Sequence, residues 1–447
     1  MDSSRSTMTE EGQTGKKGEQ PKTVVKRPFL IVGVGASAGG LEAFQQLLQN
    51  LPLDTGMAFV LVQHLDPTHE SALVTILSKA TKMRISEIRD EIQIEPNQIY
   101  IIAPNTDLSL SDNRFQLVAR ALTKGQHMPI NTFFTSLAAV KGNHAIGVIL
   151  SGTGSDGALG LQAIKAQDGI TFAQDERSAK YAQMPQNAVA TGCVDFVLRP
   201  EEIAKEILRV SRHAYVNAYD TVASAELGPS VEADFIKVLS LLQKKTGVDF
   251  FHYKHTTIRR RMYRRMLLHK KEDIAGYLKF LEAEPSEIQA LYNDILINVT
   301  EFFRGPETYV ALKEIVFPAI MKNRAPDVPT RIWVPGCATG EEVYSIVISL
   351  FEFLGDVATN TQVQVFATDI SDKAIEKARA GIYPTTSLQN VSPERLRRFF
   401  TKVENGFQIS KHIRDMCVFA VQNVTADPPF SRLDLISCRN LLIYLGA

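Results

Sequence analysis

The feature that most constrains the fold is an alternation of short apolar segments with amphipathic helical patterns, which occurs twice along the chain. From Pro28 to about Val210 the apolar segments are PFLIVGVG, MAFVLVQH, QIYIIAP, AIGVILSG and GITFAQD, and helical patterns such as INTFFTSLAAVKG separate several of them. The segment LSLSDNRFQLV interrupts the alternation and predicts a hairpin that turns at Asp112-Asn113. Alternation of this kind is typical of a parallel sheet with helices on both faces, so we predict a doubly wound α/β domain.

The second alternation begins at RIWVPG and continues through QVQVFATDIS and LDLISCRNLLIY. Before it come a connector, HAYVNAYDTVASAELGPS, and four consecutive helical patterns, beginning with VEADFIKVLSLLQKKTG and IRRRMYRRMLLHK. A length of 447 residues accommodates two to four domains of ordinary size. We therefore predict a disordered tail at 1–27, an α/β domain at 28–212, a linker at 213–230, a helical subdomain at 231–305 and a Rossmann-like α/β domain at 306–447.

Composition excludes several classes of protein. The formal net charge is zero, which gives no reason to expect a nucleic-acid partner. The four cysteines are scattered without a CxxC pair, so we predict neither a disulfide framework nor a metal site. No apolar run approaches the ~20 residues that span a bilayer, and the polar N-terminus lacks a signal sequence. These features together favour a cytoplasmic protein without membrane insertion.

The motif GVGASAGG follows the first predicted strand and precedes a predicted helix. As a dinucleotide-binding GxGxxG motif it is poor, because Ala38 occupies the last glycine position and the next strand ends in Gln63-His64 without an acidic residue. The stretch Gly35 to Gly39 instead fits GxSxG, the pattern of a sharp strand-to-helix turn that exposes a serine hydroxyl. We therefore interpret Ser37 as a candidate nucleophile.

A serine nucleophile needs a base and an acid that orients the base. His64 ends the second predicted strand, and Asp156 follows another in LSGTGSDGA, so both are expected at the carboxyl edge of the sheet with Ser37. Simpler interpretations are a polar edge residue for His64 and turn chemistry for Asp156. The histidines that compete with His64 are His69, His144 and, most strongly, His127, which we expect in a loop before a helix.

Four motifs carry a resemblance to a known family over about residues 28–210. VGASAGG, VQHLDPTHESAL, VILSGTGSDGALGLQAIKAQDGITFAQD and YAQMPQNAVATG together resemble the catalytic domain of the chemotaxis protein-glutamate methylesterases (CheB). The resemblance implies Ser37 as nucleophile, His64 as base and Asp156 as orienting acid, with γ-glutamyl methyl esters, and in some members glutamine, as substrates. Thr153 stands where the family usually has a methionine near the oxyanion site, and only a short tail stands where regulated members have a receiver domain.

A second candidate site lies in RIWVPGCATGEEVYSIVISL, a strand, a Gly-rich turn and a helix. Gly336 and Gly340 permit close approach of a ligand, and the acidic Glu341 and Glu342 disfavour a phosphate and suit a cation. Asp369 ends the following strand, where a carboxylate accepts hydrogen bonds from ribose hydroxyls. From the pattern alone, the site could bind either S-adenosylmethionine (SAM) or a generic nucleotide.

The segments INVTEFFR, GCATGEEVYSIVISL, FATDIS and CRNLLIYL resemble the chemotaxis protein-glutamate methyltransferases (CheR), over about 231–447. The resemblance implies SAM as cofactor and Arg304 and Tyr444 as residues that position the substrate carboxylate. Simpler interpretations are a helix start for Thr300-Glu301 and an N-cap pair for Asp369 and Ser371. The SAM pocket implied by the resemblance comprises Asn298, Thr300, Arg304, Glu341, Asp369, Asn423 and Val424.

The basic run HYKHTTIRRRMYRRMLLHKK is open to three interpretations: a solvated face, a nucleic-acid patch or a docking surface for an acidic receptor helix. The chain stops at LLIYLGA, before the final helix and strand pair of the methyltransferase family, so we expect a fragment of a larger sensory protein. The whole sequence predicts a fused methylesterase and methyltransferase that acts on cytoplasmic helices of chemoreceptors or related signalling proteins. The alternatives are a signalling scaffold that binds without turnover and a general serine esterase.

Overall fold

The computed structural model describes residues 29–63, 73–119, 127–213, 228–296, 299–322, 328–355, 361–404 and 406–446. Its first unit is built on a seven-stranded sheet of order β3-β4-β2-β1-β7-β8-β9, in which every pairing is parallel. The strands of this unit are β1 (Ile31–Ala36), β2 (Ala58–Gln63), β3 (Arg84–Glu87), β4 (Gln98–Ile101), β5 (Thr106–Ser111), β6 (Arg114–Ala119), β7 (Ala145–Ile149), β8 (Ile170–Gln174) and β9 (Phe196–Leu198).

Helices cover both faces of this sheet, as predicted. The apolar residues of α1 and α6 join one buried cluster, and those of α3 and α4 join a second on the opposite face. The central strand β1 is buried along its whole length, which explains why it is a continuous apolar run. The helices are α1 (Gly40–Gln49), α2 (Leu73–Leu77), α3 (Pro129–Lys141), α4 (Ala158–Ala166), α5 (Gln183–Ala190) and α6 (Pro200–Arg212).

The predicted hairpin is confirmed. Strands β5 and β6 pair antiparallel, and the turn residues Asp112 and Asn113 have φ values of +46° and +61°. Positive φ at both central positions is the geometry that favours Asn and Asp in two-residue hairpin turns. The sequence did not predict the edge strands β3 and β9, which have only four and three residues and lack a buried apolar pattern.

The helical subdomain is an all-α unit, and the four predicted helical patterns each form a helix. Its core holds Phe235, Leu239, Ile258, Tyr277 and Leu291, all buried. The helices are α7 (Pro229–Thr246), α8 (His255–Leu268), α9 (Ile274–Ala283) and α10 (Pro285–Ile295).

The third unit is a second α/β arrangement, in which four strands of order β15-β11-β10-β16 pair in parallel. A small antiparallel sheet of order β12-β14-β13, which the sequence analysis did not foresee, packs beside it. The strands are β10 (Thr330–Pro335), β11 (Val363–Asp369), β12 (Ile382–Tyr383), β13 (Phe400–Val403), β14 (Gly406–Ile409), β15 (Cys417–Val421) and β16 (Leu435–Ile436). The helices are α11 (Pro306–Ala311), α12 (Phe317–Met321), α13 (Glu341–Leu354), α14 (Asp372–Ala380), α15 (Pro393–Phe399) and α16 (Lys411–Asp415).

The basic run forms α8, and it is neither a solvated face nor an open docking surface. Arg261, whose side chain is 3% exposed, lies 2.9 Å from Asp168 and donates to the carbonyls of Lys165 and Ala166 at 3.0 and 2.8 Å. Arg264 is fully buried between Asp195 of the first unit and Asp294 of α10. The two central arginines of the run thus hold the helical subdomain against the first α/β unit.

This contact lies at the amino edge of the first sheet. Asp168 and Asp195 stand just before β8 and β9. Burial alone would raise the pKa of Asp195, but the charges of Arg264 and Lys165 outweigh it and hold that pKa below its ordinary value. Asp195 is therefore ionised at neutral pH, and Arg264 is paired with a carboxylate anion.

Among the helices within the described residues, none combines the length and the apolar character required to cross a bilayer.

Candidate functional site

The turn that carries Ser37 joins β1 to α1 at the carboxyl edge of the first sheet. The Ser37 amide donates to the carbonyl of Ser151 at 3.1 Å, which ties the turn to the residues that follow β7. Gly39 has φ of +71°, and a Cβ there would lie 2.9 Å from the Ser151 hydroxyl oxygen. A Cβ at Gly40 would approach Ala36 Cβ to 2.4 Å. The glycines therefore allow a sharp turn packed against its neighbour, as the serine interpretation requires.

The segment after β7 packs directly against this serine. A Cβ added at Gly152 would lie 2.8 Å from Ser37 Cβ and 2.2 Å from Met184 Sδ, so only glycine fits. Within the described residues, the amides of Ala38 and Thr153 have no hydrogen-bond partner. Two free N–H donors thus flank Ser37, one in its own turn at the start of α1 and one in the neighbouring turn. Such donors suit a developing oxyanion.

Asp156 follows β7 and is 2% exposed. Its carboxylate accepts from the amides of Ile130 and Asn131 at 3.0 and 2.9 Å, the first turn of α3, and from its own neighbour Gly157 at 2.9 Å. The two bonds from α3 span 26 and 25 residues in the sequence, so the role of Asp156 is not confined to its own turn. They hold an acidic group rigidly at the same sheet edge as Ser37.

The predicted base, His64, and its competitor His69 lie outside the described residues. Of the remaining competitors, His144 ends a 3₁₀ turn just before β7, at the sheet edge opposite to Ser37. His127 stands just before α3, as expected, and its Nε2 lies 2.6 Å from Asp107 Oδ1. Among the described histidines of this unit, therefore, one lies at the wrong edge and one is bound to a carboxylate other than Asp156.

The Gly-rich turn of the second α/β unit runs from the end of β10 to the start of α13. Gly336, Ala338 and Gly340 have φ values of +68°, +47° and +94°. Glu341 is the first residue of the helix, is 3% exposed and accepts from the Thr339 hydroxyl at 2.6 Å. Burial raises the pKa of the Glu341 carboxyl above its ordinary value. Burial likewise raises the pKa of Glu342, which accepts from the Ser437 hydroxyl at 2.6 Å.

An open pocket lies at the carboxyl ends of β10, β11 and β15. Of the predicted SAM-site residues, Asp369, Asn423 and Val424 line it, as does the predicted substrate-positioning Tyr444. The other lining residues are Tyr253, Ile295, Leu296, Gly336, Ala338, Thr368, Ile370, Gln422, Asn440 and Leu441.

Asp369 ends β11 and is held by two backbone donors. One carboxylate oxygen accepts from the Ala338 amide and the other from the Ser371 amide, both at 2.9 Å. Burial raises the pKa of Asp369, and these amides act against that effect. Ser371 itself caps α14 by accepting from the Ala374 amide. Ser371 is thus the N-cap of α14, and Asp369 lines the pocket at the same time. The N-cap interpretation of this pair therefore leaves a binding role for Asp369 open.

Asn423 uses its side-chain carbonyl locally, since it accepts from the amide and the hydroxyl of Thr425 at 3.1 and 2.7 Å. Within the described residues the Asn423 side-chain NH₂ group donates to no acceptor, so it has donors left for a ligand. Tyr444 lies in a 3₁₀ turn, and its carbonyl accepts from the Lys254 amide at 2.9 Å.

The predicted residues around 300 form a loop beside this unit, and they do not line the pocket. The helix-start interpretation of Thr300-Glu301 is wrong, because the next helix, α11, begins at Pro306 and is preceded by Gly305 with φ of +69°. Arg304 is exposed, and its backbone carbonyl accepts from the Arg439 guanidinium at 2.7 Å. Glu341 is likewise absent from the lining, and Asn298 lies outside the described residues.

Three residues that matter for the second site were not predicted from the sequence. Asn440 lines the pocket and Arg439 fixes the loop of Arg304; both lie within the quoted segment CRNLLIYL, so the signal was present. Tyr253 also lines the pocket. It belongs to the helical subdomain, and no local sequence pattern predicts that it reaches the pocket of the α/β unit.

Comparisons with known proteins divide the chain in the same way as the fold. A family model described as CheB methylesterase matches residues 32–207. Two further models, the all-alpha domain and the SAM binding domain of CheR methyltransferase, match residues 233–296 and 298–447.

Individual relatives match one half of the chain or both. An uncharacterized 104.1 kDa protein of Rhodobacter capsulatus is 34% identical over 391 residues, which is 83% of this chain and 41% of that protein. A putative protein-glutamate methylesterase/protein-glutamine glutaminase of Leptospira interrogans is 33% identical over 41% of this chain and 96% of its own length. Chemotaxis protein methyltransferase 2 of Vibrio cholerae is 31% identical over 48% of this chain and 75% of its own length.

The chain spans less than half of the Rhodobacter protein, but it spans almost all of the methylesterase and three quarters of the methyltransferase. Together with the parallel α/β fold of its first unit and the helical and α/β units that follow, these matches identify a hybrid chain. Its first unit belongs to the CheB methylesterase family, and its second and third units belong to the CheR methyltransferase family.

Proposed function

We propose that the chain both removes and adds methyl groups on glutamyl side chains of chemoreceptors or related signalling proteins. The first unit hydrolyses the γ-glutamyl methyl ester to glutamate and methanol, and it also deamidates glutamine. The last unit transfers a methyl group from SAM to the glutamate carboxylate. The observation that carries the proposal is the presence of a candidate chemical site at the carboxyl edge of each parallel sheet, around Ser37 in one and around Asp369 in the other.

In the esterase reaction the Ser37 hydroxyl attacks the ester carbonyl and passes its proton to His64. The C–O bond to the methoxy group then breaks, and His64 returns the proton to release methanol. Water attacks the acyl-enzyme by the same proton route and regenerates Ser37 with free glutamate. The buried, ionisable Asp156 orients the base, and its three amide donors keep the carboxylate in place.

The oxyanion of each tetrahedral intermediate needs donors beside Ser37. The Ser37 amide donates to Ser151, so it is already engaged. The amides of Ala38 and Thr153 are the donors that we assign to the oxyanion, because neither has another partner among the described residues. The threonine in place of the family's methionine leaves this role intact, since the donor is the backbone N–H.

In the methyl-transfer reaction SAM supplies an activated methyl group on a sulfonium. Asp369, Asn423 and Val424 line the pocket that would hold it, and the Asp369 carboxylate would accept from the ribose hydroxyls. Arg304 and Tyr444 would align the substrate carboxylate, which is already anionic and needs positioning more than a base.

The esterase proposal is tested by methanol release from a methylated chemoreceptor fragment. We expect release by the chain and a loss of at least about 1,000-fold in Ser37→Ala, because the attacking atom is removed. Ser155→Ala is the matched control, since this serine lies in the neighbouring turn and its hydroxyl makes no hydrogen bond within the described part of the chain. Equal rates in the chain and in Ser37→Ala would refute the role of Ser37.

The transferase proposal is tested by transfer of labelled methyl from SAM to the unmethylated fragment. Arg304→Ala should reduce transfer through a higher KM for the receptor fragment, because the guanidinium holds the carboxylate. Arg397→Ala, which removes an exposed charge on α15, is the control. Binding of SAM without any methyl transfer would favour the scaffold instead.

A further inference from the structure

The helical subdomain contributes directly to the cofactor pocket of the α/β unit. Tyr253, Ile295 and Leu296, all from the helical subdomain, form part of the lining. Tyr253 is fixed there by its backbone, which makes an antiparallel bridge to Leu445. Two further backbone bonds flank the bridge, from the Lys254 amide to the Tyr444 carbonyl at 2.9 Å and from the Gly446 amide to the His252 carbonyl at 2.8 Å. Tyr253 therefore has a defined place in the wall of the pocket.

The surroundings of the Tyr253 side chain favour a neutral phenol that is free to donate. Its ring packs on the fully buried Phe250, with centroids 5.0 Å apart. Burial, and then the electrostatic interactions with Tyr292 and with the Asp369 carboxyl, raise the pKa of Tyr253 to about 12. Within the described residues no hydrogen bond to its hydroxyl is present, although the ring is held on one side. The hydroxyl thus has donor capacity left for a ligand.

The position of Asp369 indicates which part of a ligand would accept a hydrogen bond from the Tyr253 hydroxyl. This carboxylate lines the same pocket, is close enough to Tyr253 to perturb its titration, and has the place of a ribose-binding acid at the end of the second strand. A flat ring and a donor beside that position match the nucleoside part of a cofactor better than its amino-acid part, since the ring can pack on the sugar or base while the hydroxyl bonds an oxygen.

We propose that Tyr253 is a cofactor-binding residue that contacts the ribose of SAM, with its ring against the nucleoside and its hydroxyl donating to a ribose oxygen. This inference rests on the proposed function, in which the pocket holds SAM. It makes the helical subdomain part of the cofactor site and extends the site beyond the residues of the SAM binding domain.

The test is equilibrium binding of SAM and of 5′-methylthioadenosine, which lacks the amino-acid part, to the full chain by calorimetry. Tyr253→Phe should weaken both ligands by about 2- to 10-fold, the effect of one neutral hydrogen bond. Tyr253→Ala should weaken both by more than about 10-fold, because ring contacts are also lost. Tyr263→Phe is the matched control: this tyrosine of α8 packs against the core of the same subdomain and does not line the pocket, so the variant should bind both ligands as tightly as the unaltered chain.

The outcomes separate this inference from the proposed function. If the unaltered chain binds neither ligand, the assignment of the pocket to SAM fails. If it binds both and Tyr253→Phe binds them equally well, the inference is overturned and the proposed function stands. A loss for SAM with none for 5′-methylthioadenosine overturns the ribose contact, because it places Tyr253 at the amino-acid part. Equal melting temperatures of the two Phe variants exclude misfolding as the cause of a loss.

Discussion

Substitution of Arg261 by methionine tests the contact between the methylesterase unit and the helical subdomain. Among the described residues, the Arg261 guanidinium contacts three groups of the methylesterase unit: the Asp168 carboxylate and the carbonyls of Lys165 and Ala166. Methionine keeps an unbranched stem in the buried site and removes only the charge and the donors. The change therefore acts on the interface and not on the internal packing of either unit.

The expected size of the effect follows from burial. The Arg261 and Asp168 side chains are 3% and 2% exposed, so removal of one partner leaves a carboxylate and two carbonyls without their guanidinium. Loss of one member of a buried pair typically costs about 3–5 kcal/mol. Arg260 lies 3.2 Å from the other Asp168 oxygen, so its positive charge still offsets part of the buried negative charge in the variant. We therefore expect the lower end, about 3 kcal/mol, which corresponds to roughly a 100-fold more frequent opening of the interface.

Hydrogen exchange followed by mass spectrometry measures that opening locally. Peptides that span 164–172 and 255–268 should exchange roughly 100-fold faster in Arg261→Met than in the unaltered chain. Arg259→Met is the control on the same helix, because Arg259 pairs with Glu232 inside the helical subdomain and Glu232 is partly exposed. Exchange that is equal in the two variants would refute the reasoning that the buried pair holds the units together.

Two further predictions concern stability and cofactor binding. The pKa of Glu287 is lowered to about 2: burial raises it, but hydrogen bonds from His269, Arg265 and Tyr277 outweigh burial. Its stabilising effect is therefore complete above about pH 4.5 and is lost as the pH falls towards 2, so melting temperatures should fall more steeply with acid in the unaltered chain than in Glu287→Gln. Gly340→Ala should destabilise the chain by about 1–3 kcal/mol and abolish cofactor binding, because φ is +94° and the new Cβ would lie 2.9 Å from Ala378 Cβ. Gly355→Ala, also at positive φ but with no atom within 4 Å, should lose only stability, and calorimetry with SAM distinguishes the two.

The periodic parts of the fold could be predicted from sequence, because each strand or helix carries its own signal. Continuous apolar runs such as that of β1 mark strands that are buried on both faces. The turn at Ser37 could also be predicted, because its glycines are visible in the sequence. Gly39 and Gly40 must be small because Ser151 and Ala36 lie close to their backbone. The edge strand β9 was not predicted because it has only three residues and its central residue, Val197, is exposed.

Long-range placement was not predictable. The arginines of α8 were open to interpretation as a solvated face, since the sequence does not reveal that Asp168 comes to face Arg261 and Asp195 comes to face Arg264, some 70 to 90 residues later. The position of Tyr253 in the pocket could not be predicted for the same reason, because it depends on a backbone bridge to Leu445, almost 200 residues later. In both cases the partner of the side chain is fixed by the packing of units against one another, which local patterns do not encode.

The position of the interface bears on how the two proposed activities, which oppose each other, could share one chain. The arginine contacts lie at the amino edge of the methylesterase sheet, before β8 and β9, whereas Ser37 and Asp156 follow β1 and β7 at the carboxyl edge. Weakening the interface should therefore leave the esterase site unchanged, so that Arg261→Met hydrolyses a small ester such as p-nitrophenyl acetate within about twofold of the unaltered chain. A rise of tenfold or more would instead mean that docking at the amino edge restrains the serine site through the sheet. In that case the arginines of α8 would be the gate between demethylation and methylation.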